Sequence, residues 1–132
     1  MLALRNPSEA YRRIDFDARV EGADPQALVV LCYETLIAAL GSAIFAHERR
    51  DNSGKSSAIT RAISAITALQ MGVRGEAGVA AALHQFLEAA RRALLDSALH
   101  FDASRVATLR QDFQDIAGAL SAAQAATPPA QG

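Results

Sequence analysis

Aromatic residues and cysteine are scarce in this sequence, and tryptophan is absent. Phe and Tyr together make up 5% of the 132 residues, and Cys32 is the single cysteine. One cysteine cannot form an internal disulfide, so Cys32, which stands in an apolar run, is expected to be a buried thiol. Because strands favour aromatic and β-branched residues, this composition argues against a β-sheet protein.

An excess of positive charge is also missing. The chain has 13 basic and 14 acidic residues, which gives a formal net charge of −1. Proteins that bind nucleic acid need clustered Lys and Arg to neutralise phosphates, so nucleic acid is not an expected partner. The first 22 residues carry charges throughout, without the apolar core of a secretory signal, and no uninterrupted apolar run approaches 18 residues. We therefore expect a cytosolic protein with no membrane-spanning helix.

What the sequence does contain is alanine, within a hydrophobic content of 51%. Alanine is the best helix former, so the composition favours an all-α protein large enough for one core. The pair Asp24-Pro25 is a typical helix start, with Asp as N-cap and Pro at the first helical position, and Asp102 is a second predicted N-cap. The sequence predicts four helices, at residues 25–49, 56–71, 76–99 and 103–122.

Polar and glycine-rich segments separate these helices. Residues 49–57 contain Gly54 and predict a loop, and three glycines in residues 72–78 predict a turn. Connections this short favour antiparallel neighbours, so we expect an antiparallel up-down four-helix bundle. The predicted organisation is an N-terminal arm at 1–23, the bundle at 24–123 and a disordered Pro-rich tail at 124–132.

Apolar residues at helical spacing predict the inner faces of the last three helices. The first helix is apolar around most of its circumference, which indicates a helix that is central to the bundle or shared with a partner. The predicted inner faces are Ile59, Ile63, Ile66 and Leu69 in the second helix, Val79, Leu83, Phe86, Ala90 and Leu94 in the third, and Val106, Leu109, Phe113, Ile116 and Leu120 in the fourth.

Signatures of catalysis or metal binding are not found in this sequence. Di-iron bundles use Glu-x-x-His pairs, and none occurs; His84 and Glu88 lie four residues apart and are expected to form a solvated polar pair. Phe86 and Leu87 follow His84, a bulky neighbourhood that does not suit a phosphohistidine. No nucleophile cluster or phosphate-binding loop is present. We therefore expect no enzyme activity, no metal and no cofactor.

Several short motifs, taken in order, resemble the FliS family of flagellar export chaperones. Their order and spacing over about residues 10–120 carry the resemblance. The motifs are Ala10-Tyr11, Asp24-Pro25-Gln26-Ala27-Leu28-Val29, Leu31-Cys32-Tyr33-Glu34, the run Ile63, Ile66 and Leu69 followed by MGVRGEAGVAAAL, and Arg92, Leu94 and Asp96. The chain departs from the family at Glu34, where Asp is common, at Thr35, where Gly is usual, and at Leu87 and Ala89, where aromatics are frequent. It resembles a divergent member.

The resemblance implies a chaperone that binds the disordered C-terminal segment of flagellin. Such a chaperone prevents premature polymerisation and aids delivery to the flagellar type III export apparatus, whose gate components are further implied partners. The family's N-terminal segment folds back over a hydrophobic site, so Tyr11 and Ile14 are expected to cover a groove. The residues expected to bind the client or the arm are Tyr11, Ile14, Leu28, Leu31, Ile37, Ile44, Ile59, Ile63 and Ile66.

An alternative left open by the residues is a non-enzymatic helical adaptor or dimeric interaction module with a different client. The sequence does not distinguish a monomer from a homodimer.

Overall fold

The computed structural model of the chain describes residues 25–126. Four helices account for 88% of these residues, with no strand among them, which confirms the predicted all-α fold. The predicted arm at 1–23, the predicted cap Asp24 and the end of the predicted tail from residue 127 lie outside the described residues. The helices are α1 (Pro25–Glu48), α2 (Asn52–Gly72), α3 (Val79–Leu99) and α4 (Ala103–Ala126).

The helices form an antiparallel bundle in which each packs against two others. Helix α1 packs most extensively on α2 and also on α4, α2 packs on α3, and few contacts join α3 to α4. Tyr33, early in α1, lies beside Phe113 in the middle of α4, whereas His47 at the end of α1 contacts Phe101 just before α4 begins. The two helices therefore run antiparallel, as the up-down prediction requires.

Phe113 occupies the centre of the core and joins three helices. Its ring is fully buried and lies 6.2 Å from the ring of Tyr33 on α1 and 5.1 Å from that of Phe86 on α3. Both pairs are tilted, an arrangement that aromatic rings prefer. The other large side chains that are fully buried are Leu36, Leu40, Ile66, Leu87, Leu94 and Val106.

The connection between α1 and α2 is shorter than the sequence predicted. Arg50 adopts a left-handed conformation with φ of 58°, and the N–H of Asp51 donates to the carbonyl of Ala46 at 2.8 Å. This pattern is a Schellman motif, which ends a helix within a few residues. The carboxylate of Asp51 then accepts a hydrogen bond from the N–H of Gly54 and caps α2. The prediction of a loop over 49–57 was therefore wrong, because Gly54 lies in the first turn of α2.

The other two connections follow their sequence signals more closely. Gly75 and Gly78 have φ of 92° and 62°, a region open mainly to glycine, so α3 begins at Val79 and not at residue 76. Val79 was predicted to face the core but is 85% exposed at that first position. Asp102 caps α4 as predicted, its Oδ1 accepting from the N–H groups of Ser104 and Arg105. Helix α4 ends at Ala126, beyond the predicted end at residue 122.

Helix α1 is more apolar than a typical surface helix of a globular protein, which has one polar face. An 18-residue window within Gln26–Glu48 has a mean hydropathy of 2.0, so the segment is, by length and composition alone, able to cross a membrane. The prediction that no helix spans a membrane rested on uninterrupted apolar runs alone, and it stays a prediction. Core helices of soluble proteins pass the same test, but only 33% of that window is buried in this bundle. Helix α1 therefore presents apolar surface that the other described helices do not cover.

Candidate functional site

An opening of about 440 Å³ lies along α1 beside α4, and we call it the α1–α4 groove. Phe45 borders it with 57% of its surface exposed, and Ile44 is half-buried there. The guanidinium carbon of Arg49 lies 5.2 Å from the centre of the Phe45 ring, in a cation–π arrangement. The groove is lined by Ala38, Gly41, Ser42, Ile44, Phe45 and Arg110.

Arg110 reaches across this groove from α4 to the backbone of α1. Its Nε donates a hydrogen bond to the carbonyl oxygen of Ile37 at 3.2 Å. A Cβ placed on Gly41 would lie 3.2 Å from Nε and 3.3 Å from Cζ of the same guanidinium, which is tighter than an ordinary contact. The guanidinium can therefore lie this close to α1 because residue 41 has no side chain.

A second, larger opening of about 580 Å³ lies along α3, and we call it the α3 cleft. Its charges pair with one another: Glu88 binds Arg92 at 3.1 Å, and Asp96 binds Arg105 at 3.3 Å. His84 lies with Nε2 at 3.2 Å from the carbonyl oxygen of Gly75. Side chains whose hydrogen bonds are already satisfied in this way offer little to a ligand, so the α3 cleft is the weaker candidate.

Glu88 is the most strongly perturbed acid in the described part of the chain. Hydrogen bonds from Arg91 first, then from Gln70 on α2 and from Arg92, lower the pKa of Glu88 from its ordinary value of 4.5 to about 2. The Glu88 side chain is 34% exposed. Because the carboxylate is held ionised by partners on α2 and α3, it links these helices and is not suited to act as a general acid.

The residues predicted as a binding site fall into three groups. Leu31, Ile59 and Ile66 are buried, with at most 4% exposed, so in this structure they form part of the core. Tyr11 and Ile14 lie outside the described residues.

The remaining four predicted residues, Leu28, Ile37, Ile44 and Ile63, are half-buried. Two of them belong to the α1–α4 groove: Ile44 lines it, and Ile37 supplies the carbonyl that Arg110 binds. Sequence reasoning missed Phe45 and Arg110. The available signal was Gly41, because a glycine inside a helix indicates that another group approaches the backbone closely.

The described residues offer no arrangement for metal or nucleophile chemistry. Within residues 25–126, no three His, Cys, Asp or Glu side chains are placed to hold a metal ion. Cys32 is half-buried, not fully buried as expected, and burial raises the pKa of its thiol. A raised pKa reduces the thiolate fraction, so this cysteine is not an activated nucleophile. The geometry fits binding through an apolar surface.

Comparison with known proteins places the chain in a family. Residues 7–127 match the family described as flagellar protein FliS, which covers nearly all of the 132 residues. No curated protein matches the sequence. The match includes all four helices and the groove described above, and it agrees with the resemblance found in the motifs around α1. The chain belongs to the FliS family of flagellar export chaperones.

Proposed function

We propose that this protein is a cytosolic chaperone that binds the C-terminal segment of flagellin. It keeps the bound subunit from polymerising before export and aids its delivery to the flagellar type III export apparatus. Family membership supports the flagellar chaperone role. The observation that supports a binding surface on this chain is the α1–α4 groove, where the apolar side chain of Phe45 remains exposed on a helix that contains an 18-residue window with a mean hydropathy of 2.0.

The shape of the groove suits a helical segment of the client. An amphipathic helix binds by laying its apolar face in a hydrophobic groove, and a disordered segment can fold into that form as it binds. Ala38 and Ser42 have small side chains and allow close approach, while Phe45 and Ile44 supply apolar area. Covering the exposed part of Phe45 alone would contribute about 1–2 kcal/mol. Several such contacts along α1 are needed, because folding of the client opposes binding by about 2–5 kcal/mol.

The N-terminal arm is part of this proposal. Tyr11 and Ile14 are apolar residues in a charged segment, and we propose that they cover the α1–α4 groove until the client displaces them. An intramolecular cover would protect an apolar surface from self-association and reduce the apparent affinity for the client. Deleting residues 1–18 should therefore leave the helix content unchanged, increase self-association and tighten client binding. Unchanged self-association and unchanged affinity would show that the arm has no such role.

Titration calorimetry with the C-terminal segment of the host's flagellin tests the proposed function. We expect the full chain to bind the segment, and Phe45→Ala to weaken binding about tenfold, as loss of a central aromatic contact does. Leu95→Ala is the matched control, since Leu95 on α3 is also exposed, at 45%, but lies outside the groove. Equal affinity of the two variants would place the binding surface elsewhere, and no binding by the wild-type chain would reject the proposed function.

A further inference from the structure

Arg110 differs from the arginines of the α3 cleft in what it binds. Arg91 and Arg92 both pair with Glu88, and Arg105 pairs with Asp96. Arg110 is half-buried, and its hydrogen bond within the described part of the chain goes to a backbone carbonyl, not to a carboxylate. A guanidinium has five N–H donors. Within residues 25–126 this hydrogen bond uses one of those five donors, which leaves the other four for solvent, for a bound partner or for residues outside this range.

If a client covered the groove, the hydrogen bonding of these N–H donors would determine whether the complex is stable. The other side chains lining the groove are apolar apart from the Ser42 hydroxyl, and no carboxylate is among the described residues that line it. An apolar helix lying over the groove would remove water from the guanidinium and leave its donors unpaired. Leaving a charged group buried without a partner is strongly unfavourable, so a stable complex needs an acceptor from the client.

We propose that Arg110 is the polar anchor of the α1–α4 groove and pairs with a single carboxylate on the client helix. This inference rests on the proposed function and names the chemistry of the partner: an amphipathic helix with an Asp or Glu facing its apolar side. A planar guanidinium binds a carboxylate through two parallel hydrogen bonds, which a neutral acceptor does not match. The second guanidinium beside the groove, that of Arg49 over Phe45, adds positive charge and favours the same acidic partner.

The anchor would determine the register of the client in the groove. Apolar side chains such as those of Ala38 and Ile44 permit a helix to slide, because adjacent positions differ little in contact area. A single buried polar pair fixes one register, since every other register leaves the charge unpaired. Arg110 would also reject segments that present Lys or Arg at the paired position.

A double-mutant cycle tests the anchor. The full-length protein and Arg110→Gln are each titrated with the host flagellin's C-terminal segment and with variants of that segment in which each Asp or Glu is singly replaced by its amide. We expect Arg110→Gln to weaken binding of the wild-type segment about tenfold. One amide variant should weaken binding to the wild-type protein by a similar factor and have almost no further effect with Arg110→Gln. Arg110→Lys should recover only part of the affinity, because Lys cannot form the paired hydrogen bonds.

Controls separate the anchor from a structural role and from the proposed function. Arg92→Gln removes an exposed guanidinium on α3 and should leave affinity unchanged, and circular dichroism should show that Arg110→Gln keeps the wild-type helix content. If the wild-type chain binds the segment but every amide variant acts additively with Arg110→Gln, the anchor is refuted and the proposed function stands. If Arg110→Gln abolishes self-association and leaves client affinity unchanged, the groove binds a second copy and the anchor is likewise refuted. If the wild-type chain does not bind the segment, both ideas fail.

Discussion

Replacing Gly41 with alanine tests whether Arg110 lies against the backbone of α1. Alanine is favoured over glycine in a helix interior by about 1 kcal/mol, so a position without neighbours should gain that amount. At residue 41 the new Cβ would stand 3.2 Å from Nε of Arg110, and the guanidinium would have to move away from the carbonyl of Ile37. Loss of a half-exposed hydrogen bond of this kind costs about 1 kcal/mol. The two effects nearly cancel, so Gly41→Ala should change the free energy of unfolding by less than about 0.5 kcal/mol.

The assay is urea denaturation of four proteins: wild type, Gly41→Ala, Arg110→Ala and the double variant. In the Arg110→Ala background the guanidinium is absent, so Gly41→Ala should recover the full stabilisation of about 1 kcal/mol. Gly118→Ala in α4 is the matched control, because a Cβ added there would have no atom of another described helix within 4 Å, and it should stabilise both backgrounds equally. An equal gain from Gly41→Ala in both backgrounds would refute the placement of Arg110.

Three further predictions concern the bundle. Phe113→Ala should lower the free energy of unfolding by about 3–5 kcal/mol in urea denaturation, because a fully buried ring that joins three helices leaves a cavity; a loss below about 1 kcal/mol would contradict its central place. Asp51→Ala should lower the free energy of unfolding by about 1 kcal/mol in the same assay, because the cap hydrogen bond from the N–H of Gly54 is lost. An unchanged free energy of unfolding would mean that this cap does not stabilise the bundle. The pKa of Glu88 is lowered to about 2, so its ionised form stabilises the fold above the unfolded-state pKa, and that contribution disappears as the pH falls from about 5 to about 2. In thermal unfolding across this range, the melting temperature of Glu88→Gln should fall less steeply with decreasing pH than that of wild type. Parallel plots of melting temperature against pH would refute the stabilising role of ionised Glu88.

The helices could be predicted because their starts and their periodicity are local properties. Pro25 begins α1 and Asp102 caps α4, as expected from residues that favour those positions. The start of α2 was missed because glycine occurs in two settings. It is common in loops, and it is also tolerated in the first turn of a helix, where the N–H of Gly54 donates to the capping carboxylate of Asp51. The sequence did not show which role applied, since the choice depends on the Schellman motif at the end of α1.

The groove was harder to predict than the fold, because α1 is apolar around most of its circumference. In an amphipathic helix, the spacing of the apolar residues shows which face is buried. In α1 both faces carry apolar residues, so the sequence does not show that Phe45 is exposed and that the adjacent Ala46 is buried. The contact of Arg110 with Ile37 joins residues 73 positions apart, and no local pattern encodes it. Three of the predicted site residues, Leu31, Ile59 and Ile66, were chosen by their apolar character, which does not separate core from surface.

Hydrogen–deuterium exchange of the full chain, with and without the flagellin C-terminal segment, tests the central claim most directly. If the client lies in the α1–α4 groove, amides around residues 37–45 of α1 and around Arg110 of α4 should exchange more slowly in the complex. Amides of α3 between His84 and Asp96, along the α3 cleft, should change least and serve as the internal reference. Protection concentrated along α3, or no protection at saturating segment, would contradict the account.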